Sequence, residues 1–379
     1  MDDHIAAFVA FDTSKLRNAV AIAEEGRTGE VRFFGEIDNT AEATAKLVKK
    51  LAAKYERLAF CYEAGPTGYG LYRQITDLGQ ECMVAAPSLI PKKPGDRVKT
   101  NRRDALSLAK SLRSGDLTAV WVPDGRHEAM RDLTRARGAA VEDVRQKGQQ
   151  VSAFLLRLGR HYAGRTWTKA HLGWLASQKF EHPEQRIAFE ELLLAVHQAK
   201  ERVGRLEEAI RLAVPDWSLA EAVPALMAMR GIDMVTATAF LAEIGDLSRF
   251  RTPRQLMAYL GLVPSEQSTG DTVVRGPITK AGNRRARRLL IESAWAYRHP
   301  PRVGKDKQAK VAAAPPAVRA IAWKAQHRLY ARYRTLTRKG KRKTVAITAM
   351  ARELAAFIWA VAREIANTAG AEAQQGIRG

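Results

Sequence analysis

The sequence has few cysteines, and their placement excludes several classes of protein. Its 379 residues include two, Cys61 and Cys82. Their spacing fits neither a metal site nor a disulfide framework, so we expect a reducing, cytoplasmic compartment. The first residues also lack the basic segment that begins a signal peptide.

Two further features are missing, namely an uninterrupted apolar run and a dinucleotide-binding motif. The apolar stretch over residues 345–362 contains Arg352 and Glu353. We interpret it as too short and too charged to span a bilayer. No Gly-x-Gly-x-x-Gly sequence follows the first predicted strand, which weakens any Rossmann interpretation. We therefore expect a soluble protein with no membrane partner.

Acidic residues are scarce in one long segment of a chain whose net charge is +22. Residues 275–343 contain 21 lysines and arginines against two acids, so this segment supplies +19 of that total. Such concentrated charge favours a nucleic-acid partner over a uniformly basic solvated surface, because each neutralised phosphate releases counterions.

Alternating apolar strands and helices predict an α/β fold for the N-terminal part. The pattern predicts three early strands, then a helix, a strand, a helix and a last strand. This order is typical of a ribonuclease H-type sheet. The predicted strands cover residues 5–12, 17–24, 30–36, 57–62 and 81–85, and the first helix covers 39–55.

Three acids stand at the ends of these predicted elements. Asp12 ends the first strand, Glu63 follows a later strand, and Asp104 begins a helix that runs to about residue 114. Crowded carboxylates repel one another unless a divalent cation lies between them, and Mg²⁺ prefers oxygen ligands. We predict that all three are catalytic metal ligands, although each alone could merely cap a turn or helix. Asn101, one helical turn before Asp104, could add an amide oxygen.

A hydroxyl beside dense positive charge marks a second candidate site. Ser268 is predicted to lie in a flexible, glycine-bordered loop that leads into an arginine-rich segment over residues 275–288. Cations lower the cost of forming an alkoxide and stabilise a phosphorane. No histidine lies nearby, so a hydrolase triad is not expected. We predict that Ser268 is a nucleophile, with Ser265 and Thr269 as competing hydroxyls and a turn serine as the alternative.

Basic residues in two segments are predicted to contact nucleic-acid phosphates. The first segment is a proline-punctuated loop over residues 86–101 with the start of the helix after it. The second is the arginine-rich segment after Ser268. The predicted contacts are Lys92, Lys93, Arg97, Lys99, Arg102, Arg103, Arg275, Lys280, Arg284, Arg285, Arg287 and Arg288.

Heptad-spaced apolar residues predict two long helices in the middle of the chain. One covers residues 126–158 and the other includes 192–213, with an aromatic-rich stretch between them. We interpret them as an antiparallel coiled-coil arm, although the same seams could pack on a globular core.

The helical patterns around Gly231 fit either a helix-hairpin-helix or an ordinary corner. Residues 299–316 are predicted to be a flexible linker.

Several of these motifs together resemble the DEDD-type bacterial insertion-sequence transposases, which are bridge-RNA-guided recombinases. The resemblance covers nearly the whole chain, and its ordered set of motifs is more specific than any single one. It rests on Phe-Asp-Thr-Ser-Lys at 11–15, Tyr-Glu-Ala-Gly-Pro-Thr-Gly at 62–68 and the segments 98–105, 261–264, 268–270, 278–283 and 351–354.

The resemblance implies an α/β plus all-α architecture. It implies a RuvC-like ribonuclease H domain over residues 1–118 and a coiled-coil arm for oligomerisation over 119–218. A mainly helical transposase domain would cover 219–370, and 371–379 is expected to be a disordered tail. The implied partners are donor and target DNA, a structured noncoding guide RNA and further copies of the chain.

The resemblance also implies residue roles. The family's serine falls on Ser268, and its four acids, which bind Mg²⁺, fall on Asp12, Glu63, position 101 and Asp104. Position 101 is asparagine, so either Asn101 ligates through its carbonyl oxygen, or the metal binds more weakly, or Asp96 substitutes. We favour the first.

The expected function is a transposase that cuts and rejoins DNA through a serine–phosphate intermediate. One alternative is a metal-dependent structure-specific nuclease resembling a Holliday-junction resolvase. Another is a packaging protein that binds nucleic acid without metal-dependent chemistry. The first predicts protein-linked DNA ends, the second predicts free ends, and the third predicts salt-sensitive binding alone.

Overall fold

The computed structural model describes residues 6–91, 100–269 and 272–376, without the side chains of 369–376. Its internal contacts divide the chain into two units, Met1–Val122 and Pro123–Gly379. The described part of the first unit has strands β1 (Ala6–Asp12), β2 (Arg17–Glu24), β3 (Val31–Asp38), β4 (Arg57–Glu63) and β5 (Glu81–Ala85), with helices α1 (Ala41–Ala52), α2 (Gly70–Asp77) and α3 (Asn101–Ser114) and a 3₁₀ turn at Pro87–Leu89.

The strands of the first unit form one mixed sheet in the order β3-β2-β1-β4-β5. The first three strands are antiparallel neighbours, and β1, β4 and β5 run parallel. Parallel strands need crossover helices, and α1 and α2 supply them. The α/β expectation for this part of the chain is confirmed.

Helices cover both faces of this sheet. Because successive strand side chains point to opposite faces, β1 directs Val9 and Phe11 to one side and Ala10 to the other. Val9 and Phe11 share a core with Leu47 of α1, and Ala10 shares a second core with Ala105 of α3. The central strand β1 is therefore covered on both faces.

The described part of the second unit is mainly helical and has one β-hairpin. Its helices are α4 (Gly125–Arg157), α5 (Lys169–Ala176), α6 (Pro183–Ala213), α7 (Ala222–Met227), α8 (Met234–Ile244), α9 (Pro253–Tyr259), α10 (Arg284–Ala294), α11 (Lys305–Ala313), α12 (Pro316–Arg338) and α13 (Lys343–Gly376), with 3₁₀ turns at Leu247–Arg249 and Trp295–Arg298. The hairpin consists of β6 (Pro264–Thr269) and β7 (Thr272–Ile278).

The two long helices α4 and α6 pack as an antiparallel pair. Arg202 donates to Asp143 at 2.8 Å, whereas Arg137, earlier in α4, donates to Glu207, later in α6. The contacts therefore run in opposite directions along the two helices. At the far end, Phe154 stacks on Phe189 with ring centroids 6.0 Å apart. The predicted helices are confirmed, and the coiled-coil seam stays a prediction.

Residues 299–316 are not a linker, and that prediction was wrong. They include α11, whose Lys307 Nζ donates to the backbone carbonyls of Met227, Met229 and Ile232 at 2.6, 2.5 and 2.5 Å. These contacts join α11 to the segment around the α7–α8 turn, 75 or more residues away along the chain. Composition alone could not reveal them.

The C-terminal helix α13 is longer than the sequence suggested. Its segment Lys343–Thr368 is long and apolar enough, by length and composition, to cross a membrane, so the expectation that it is too short was wrong. Ile347, Met350 and Leu354 are fully buried in the core of the second unit. The helix continues to Gly376, into the stretch expected to be a disordered tail.

Candidate active site

Asp12 and Glu63 lie at matching ends of two neighbouring parallel strands. The register pairs Phe11 with Tyr62, so Asp12 and Glu63 occupy the next position on each strand. Strand alternation places both on the same face as Ala10 and Cys61, which is the face that α3 covers. Asp12 is half-buried and Glu63 is exposed.

Helix α3 begins near this end of the sheet. At its other end, Arg113 donates to the carbonyls of Glu24 and Gly29 at 3.1 and 2.9 Å, and Glu24 pairs with Ala7 at the start of β1. The C-terminus of α3 therefore lies at the start of β1, and its N-terminus lies towards Asp12, at the end of β1.

Asn101 and Asp104 occupy this first turn of α3. Thr100 caps the helix by accepting a hydrogen bond from the Arg103 amide at 3.3 Å. Asp104, half-buried, precedes the fully buried Ala105, and Asn101 is exposed three residues earlier. Residues three apart lie on one helix face. We call Asp12, Glu63, Asn101 and Asp104 the acidic edge.

Two asparagines that the sequence reasoning missed support the loop after Asp12. Asn18, fully buried in β2, accepts from the Ser14 amide at 3.2 Å and donates to Asn39 at 3.1 Å. Asn39 donates in turn to the Ser14 carbonyl at 3.0 Å. The signal for Asn18 was visible, because it is an amide at the start of an otherwise apolar strand.

The acidic edge has hard oxygen donors, which suit a divalent cation. In residues 6–91, 100–269 and 272–376, however, no group of three or more His, Cys, Asp or Glu side chains is close enough to hold a metal ion. The fold thus brings the ends of β1 and β4 and the start of α3 towards one end of the sheet. Metal ligation by the residues of the acidic edge stays a prediction. Asp96, with Lys92, Lys93, Arg97 and Lys99, lies outside the described residues.

Ser268 lies in strand β6, not in a loop as predicted. Its cross-strand partner in β7 is Val273, and Glu266 pairs with Arg275. The hydroxyl of Ser268 is exposed and donates to Glu266 Oε1 at 2.9 Å, while Arg275 Nε lies 3.4 Å from Glu266 Oε2. The sequence of β6, Pro-Ser-Glu-Gln-Ser-Thr, lacks the alternation of apolar and polar residues that would have predicted a strand. We call residues 264–278 the serine hairpin.

The base of the serine hairpin is closely packed. The backbone amide of Lys280 donates to the Gly261 carbonyl at 3.1 Å. Gly261 has φ +62°, and a Cβ atom there would lie 2.2 Å from the Ala281 carbonyl oxygen. At Gly282, with φ +68°, it would lie 1.9 Å from the Tyr259 carbonyl oxygen. Only glycine permits this approach.

Arg287 belongs to this base and not to the exposed basic surface. The residue is 8% exposed, and its guanidinium donates to the carbonyls of Leu260 and Ala281, both at 2.8 Å. The prediction that it contacts nucleic acid is therefore corrected. Helical spacing explains the burial, because Leu290 and Ala294, three and seven residues later, are buried on the same face of α10.

A buried carboxylate orients the start of α10. Asn283 caps the helix by accepting from the Ala286 amide at 3.0 Å and donates to Glu243 Oε2 at 2.7 Å. Arg135 makes a bidentate contact to the same carboxylate at 2.8 and 2.9 Å. Burial raises the pKa of Glu243, but the bonds from Arg135 and Asn283 outweigh burial and hold that pKa below its ordinary value.

The other predicted basic contacts within the described residues are exposed. Arg102 lies over the Phe33 ring, 5.5 Å from its centroid, and Arg288 donates to Glu292 at 2.7 Å. Because the cations on and after the serine hairpin are exposed, a polyanion can contact them in the folded protein. The exposed basic residues are Arg102, Arg103, Arg275, Lys280, Arg284, Arg285 and Arg288.

Comparison with known proteins matches both units to transposase families. Residues 9–159 match the family described as a DEDD transposase of the IS110 type, and residues 223–308 match the "Transposase IS116/IS110/IS902 family". The first match indicates a ribonuclease H-like fold for the mixed sheet and implies that the activity depends on a divalent metal.

Similar proteins extend along most of the chain. A Sinorhizobium fredii protein named "Putative transposase y4qE" is 56% identical over 97% of this chain and 91% of its own length. The transposase for insertion sequence element IS1533 of Leptospira borgpetersenii is 31% identical over 78% of this chain and 87% of its own. The chain therefore belongs to the IS116/IS110/IS902 family of transposases, enzymes that act on DNA.

Proposed function

We propose that this transposase cuts and rejoins DNA through a covalent serine–phosphate intermediate, with Ser268 as the nucleophile. The observation that carries the proposal is the position of the Ser268 hydroxyl, exposed on a hairpin that leads directly into the exposed arginines at the start of α10. Cations beside a phosphodiester stabilise the charge that develops during attack. A covalent intermediate conserves the energy of the broken bond, so rejoining needs no outside energy source.

The acidic edge is proposed to contribute a Mg²⁺ site. Asp12, Glu63 and Asp104 would hold the ion through carboxylate oxygens, and Asn101 through its amide oxygen. When bound, Mg²⁺ supplies positive charge to phosphate oxygens and to the leaving oxygen. The support is that Asp12 and Glu63 end neighbouring parallel strands on the face that α3 covers, and that Asn101 and Asp104 lie in the first turn of α3.

The exposed arginines are proposed to bind donor and target DNA, with a structured noncoding RNA selecting the sites. Support for DNA comes from the family and from the exposed cations of β7 and α10. The RNA is proposed on the motif resemblance alone. The DNA that flanks the gene should then encode a structured transcript, and sequencing of RNA that copurifies with the protein tests this.

The α4–α6 pair is proposed to join copies of the chain into a dimer or tetramer. Ile187 and Leu194, seven residues apart on one face of α6, are 55% and 44% exposed. Leu156, near the end of α4, is 65% exposed. Apolar side chains left in water at such spacing suit a helical interface. Light scattering should show that Ile187→Glu with Leu194→Glu lowers the molar mass to that of one chain, while an unchanged mass would exclude this face.

A denaturing gel tests the central proposal. The protein, copurified with its RNA, would be incubated with Mg²⁺ and labelled DNA carrying the joined ends of the element. We expect labelled DNA that migrates with the protein after denaturation and is released by protease. Cleaved DNA with free ends and no attached protein would instead establish a metal-dependent nuclease.

A further inference from the structure

The serine hairpin holds a carboxylate against the proposed nucleophile. Glu266 and Ser268 are two residues apart on β6, so their side chains lie on the same side of the strand. The Ser268 hydroxyl donates a hydrogen bond to Glu266 Oε1, with the two oxygens 2.9 Å apart. This distance lies within the range in which a side chain can take a proton directly.

Arg275 holds that carboxylate from the opposite strand. It pairs with Glu266 in the register of the hairpin, and its Nε lies 3.4 Å from Glu266 Oε2. One carboxylate oxygen thus faces the arginine, and the other faces the serine. The contact gives the exposed Glu266 side chain a partner on the opposite strand.

The competing hydroxyl of Ser265 is used differently. Its Oγ donates to the backbone carbonyl of Pro277 at 3.1 Å. A carbonyl oxygen can accept this hydrogen bond but cannot accept the proton itself at neutral pH. The carboxylate contact therefore distinguishes Ser268 from Ser265 as the hydroxyl prepared for attack.

We propose that Glu266 is the general base for Ser268 and that Arg275 is its positioning residue. This rests on the proposed function, in which Ser268 attacks the DNA. As the Oγ–phosphorus bond forms, the hydroxyl proton passes to Glu266 Oε1. The phosphorus–oxygen bond to the leaving strand breaks, and the leaving oxygen keeps the electron pair and takes a proton from solvent.

The same carboxyl group serves the rejoining step. The hydroxyl of the incoming strand attacks the serine phosphate and loses its proton to solvent. The Oγ–phosphorus bond breaks, and Oγ regains its proton from Glu266. The carboxylate is thereby restored, and one proton has moved to Glu266 and back within a complete strand exchange. An oxidant or further reactant is not needed.

Kinetics of adduct formation test the proposal. Glu266→Gln keeps the size and a hydrogen-bond acceptor but cannot take the proton, so we expect adduct formation to slow by about 100-fold or more. Without a general base, the variant should depend on hydroxide from solvent, so its pH profile should differ from that of the wild type. Arg275→Gln should slow the reaction less and keep the wild-type pH profile.

A matched control is Glu208→Gln, which removes another exposed, arginine-paired carboxylate of the same unit. Its rate and pH profile should equal those of the wild type. If Ser268→Ala still forms adducts, the proposed nucleophile is wrong. If Ser268→Ala abolishes them while Glu266→Gln keeps the wild-type rate and pH profile, only the role of Glu266 is refuted.

A measurement without DNA tests the contact itself. In Ser268→Cys, the neighbouring carboxylate should raise the thiol pKa, and adding Glu266→Gln should lower the midpoint of alkylation by about half a pH unit. Native thiols give little background, since burial raises the pKa of Cys82 to about 12 and that of Cys61 well above its ordinary value. Equal midpoints in the two proteins would refute the contact.

Discussion

The acidic edge and the serine hairpin are supported in opposite ways. Asp12 and Glu63 end strands whose preceding residues, Phe11 and Tyr62, are fully buried in the core that the sheet forms with α1 and α2. The hairpin has no such cover, and its Val273 and Val274 are 57% and 55% exposed. A two-stranded ribbon is marginal alone, so its position depends on its base. A buried core therefore supports the acidic edge, whereas the serine hairpin is held in position at its base.

The largest effect that the comparison predicts is at Ser268. Ser268→Ala should abolish covalent protein–DNA adducts, a fall of at least about 1000-fold, because no other group forms the bond to phosphorus. The melting temperature should not change, since the side chain is exposed. Ser265→Ala and Thr269→Val are the matched controls on the same strand. If Ser268→Ala retained adducts and one of the controls lost them, the nucleophile would be the residue changed in that control.

Asp12 should be the most sensitive position of the acidic edge. Asp12→Asn keeps the shape but removes the charge, and we expect cleavage to fall at least about 100-fold at fixed Mg²⁺. DNA binding should persist, which a binding assay in EDTA can verify. Asp38→Asn, at the exposed end of β3, is the control. Full cleavage by Asp12→Asn across a Mg²⁺ titration would contradict a metal site at this edge.

Arg287 and Arg284 lie in the same arginine-rich segment, but their substitutions should have different effects. One should lower the stability of the protein, and the other should weaken DNA binding. Arg287→Ala leaves the carbonyls of Leu260 and Ala281 without their donor, and should lower the free energy of unfolding by about 3 kcal/mol. Arg284→Ala should leave stability unchanged and reduce the slope of log affinity against log salt by about 0.9. Denaturant titrations and salt-dependent binding measure the two effects. A reversed pattern would overturn the assignment.

The ionised Glu243 carboxylate should make the stability of the hairpin base depend on pH in the acid range. Because its folded pKa lies below the unfolded value of 4.5, the unfolded chain binds more protons in that interval. Its contribution is complete above pH 4.5 and is lost as pH falls through the folded pKa. Glu243→Gln should therefore cost about 1 to 2 kcal/mol at pH 7 and progressively less in acid. A cost that is the same at pH 3 and pH 7 would contradict the ion-pair account.

Substitution of Asn101 should have the smallest effect on cleavage of the changes considered. If its amide oxygen ligates Mg²⁺, Asn101→Ala should raise the Mg²⁺ concentration for half-maximal cleavage about threefold, and Asn101→Asp should lower it. The readout is cleavage rate against Mg²⁺ concentration. Wild-type behaviour of Asn101→Ala would exclude it as a ligand and direct attention to Asp96.

Much of the sheet could be predicted, because its strands are short runs rich in apolar residues and four of the five end at an acid. Strand β5 coincides with the prediction, and Asp12 and Glu63 stand at the predicted strand ends. The acidic edge follows from that order, since parallel strands in one sheet bring their carboxyl ends together. What the pattern could not predict is how closely the carboxylates approach one another.

Other features depend on contacts between residues distant in sequence. Helix α11 resembles a linker in composition and is held by the bonds of Lys307 to carbonyls of another segment. Arg287 resembles its neighbours in sequence, and the 3.6-residue period could have identified it as buried. Glu266 carried no recognisable signal, because its contact with Ser268 depends on β6 being a strand and not a loop.

The most direct test is to identify the residue that carries the DNA. Trapped adducts would be digested with protease and nuclease, and the modified peptide would be sequenced by mass spectrometry. We predict a nucleotide remnant on the side chain of Ser268. A remnant on Ser265, Thr269 or any other residue, or cleavage without a modified peptide, would contradict the account.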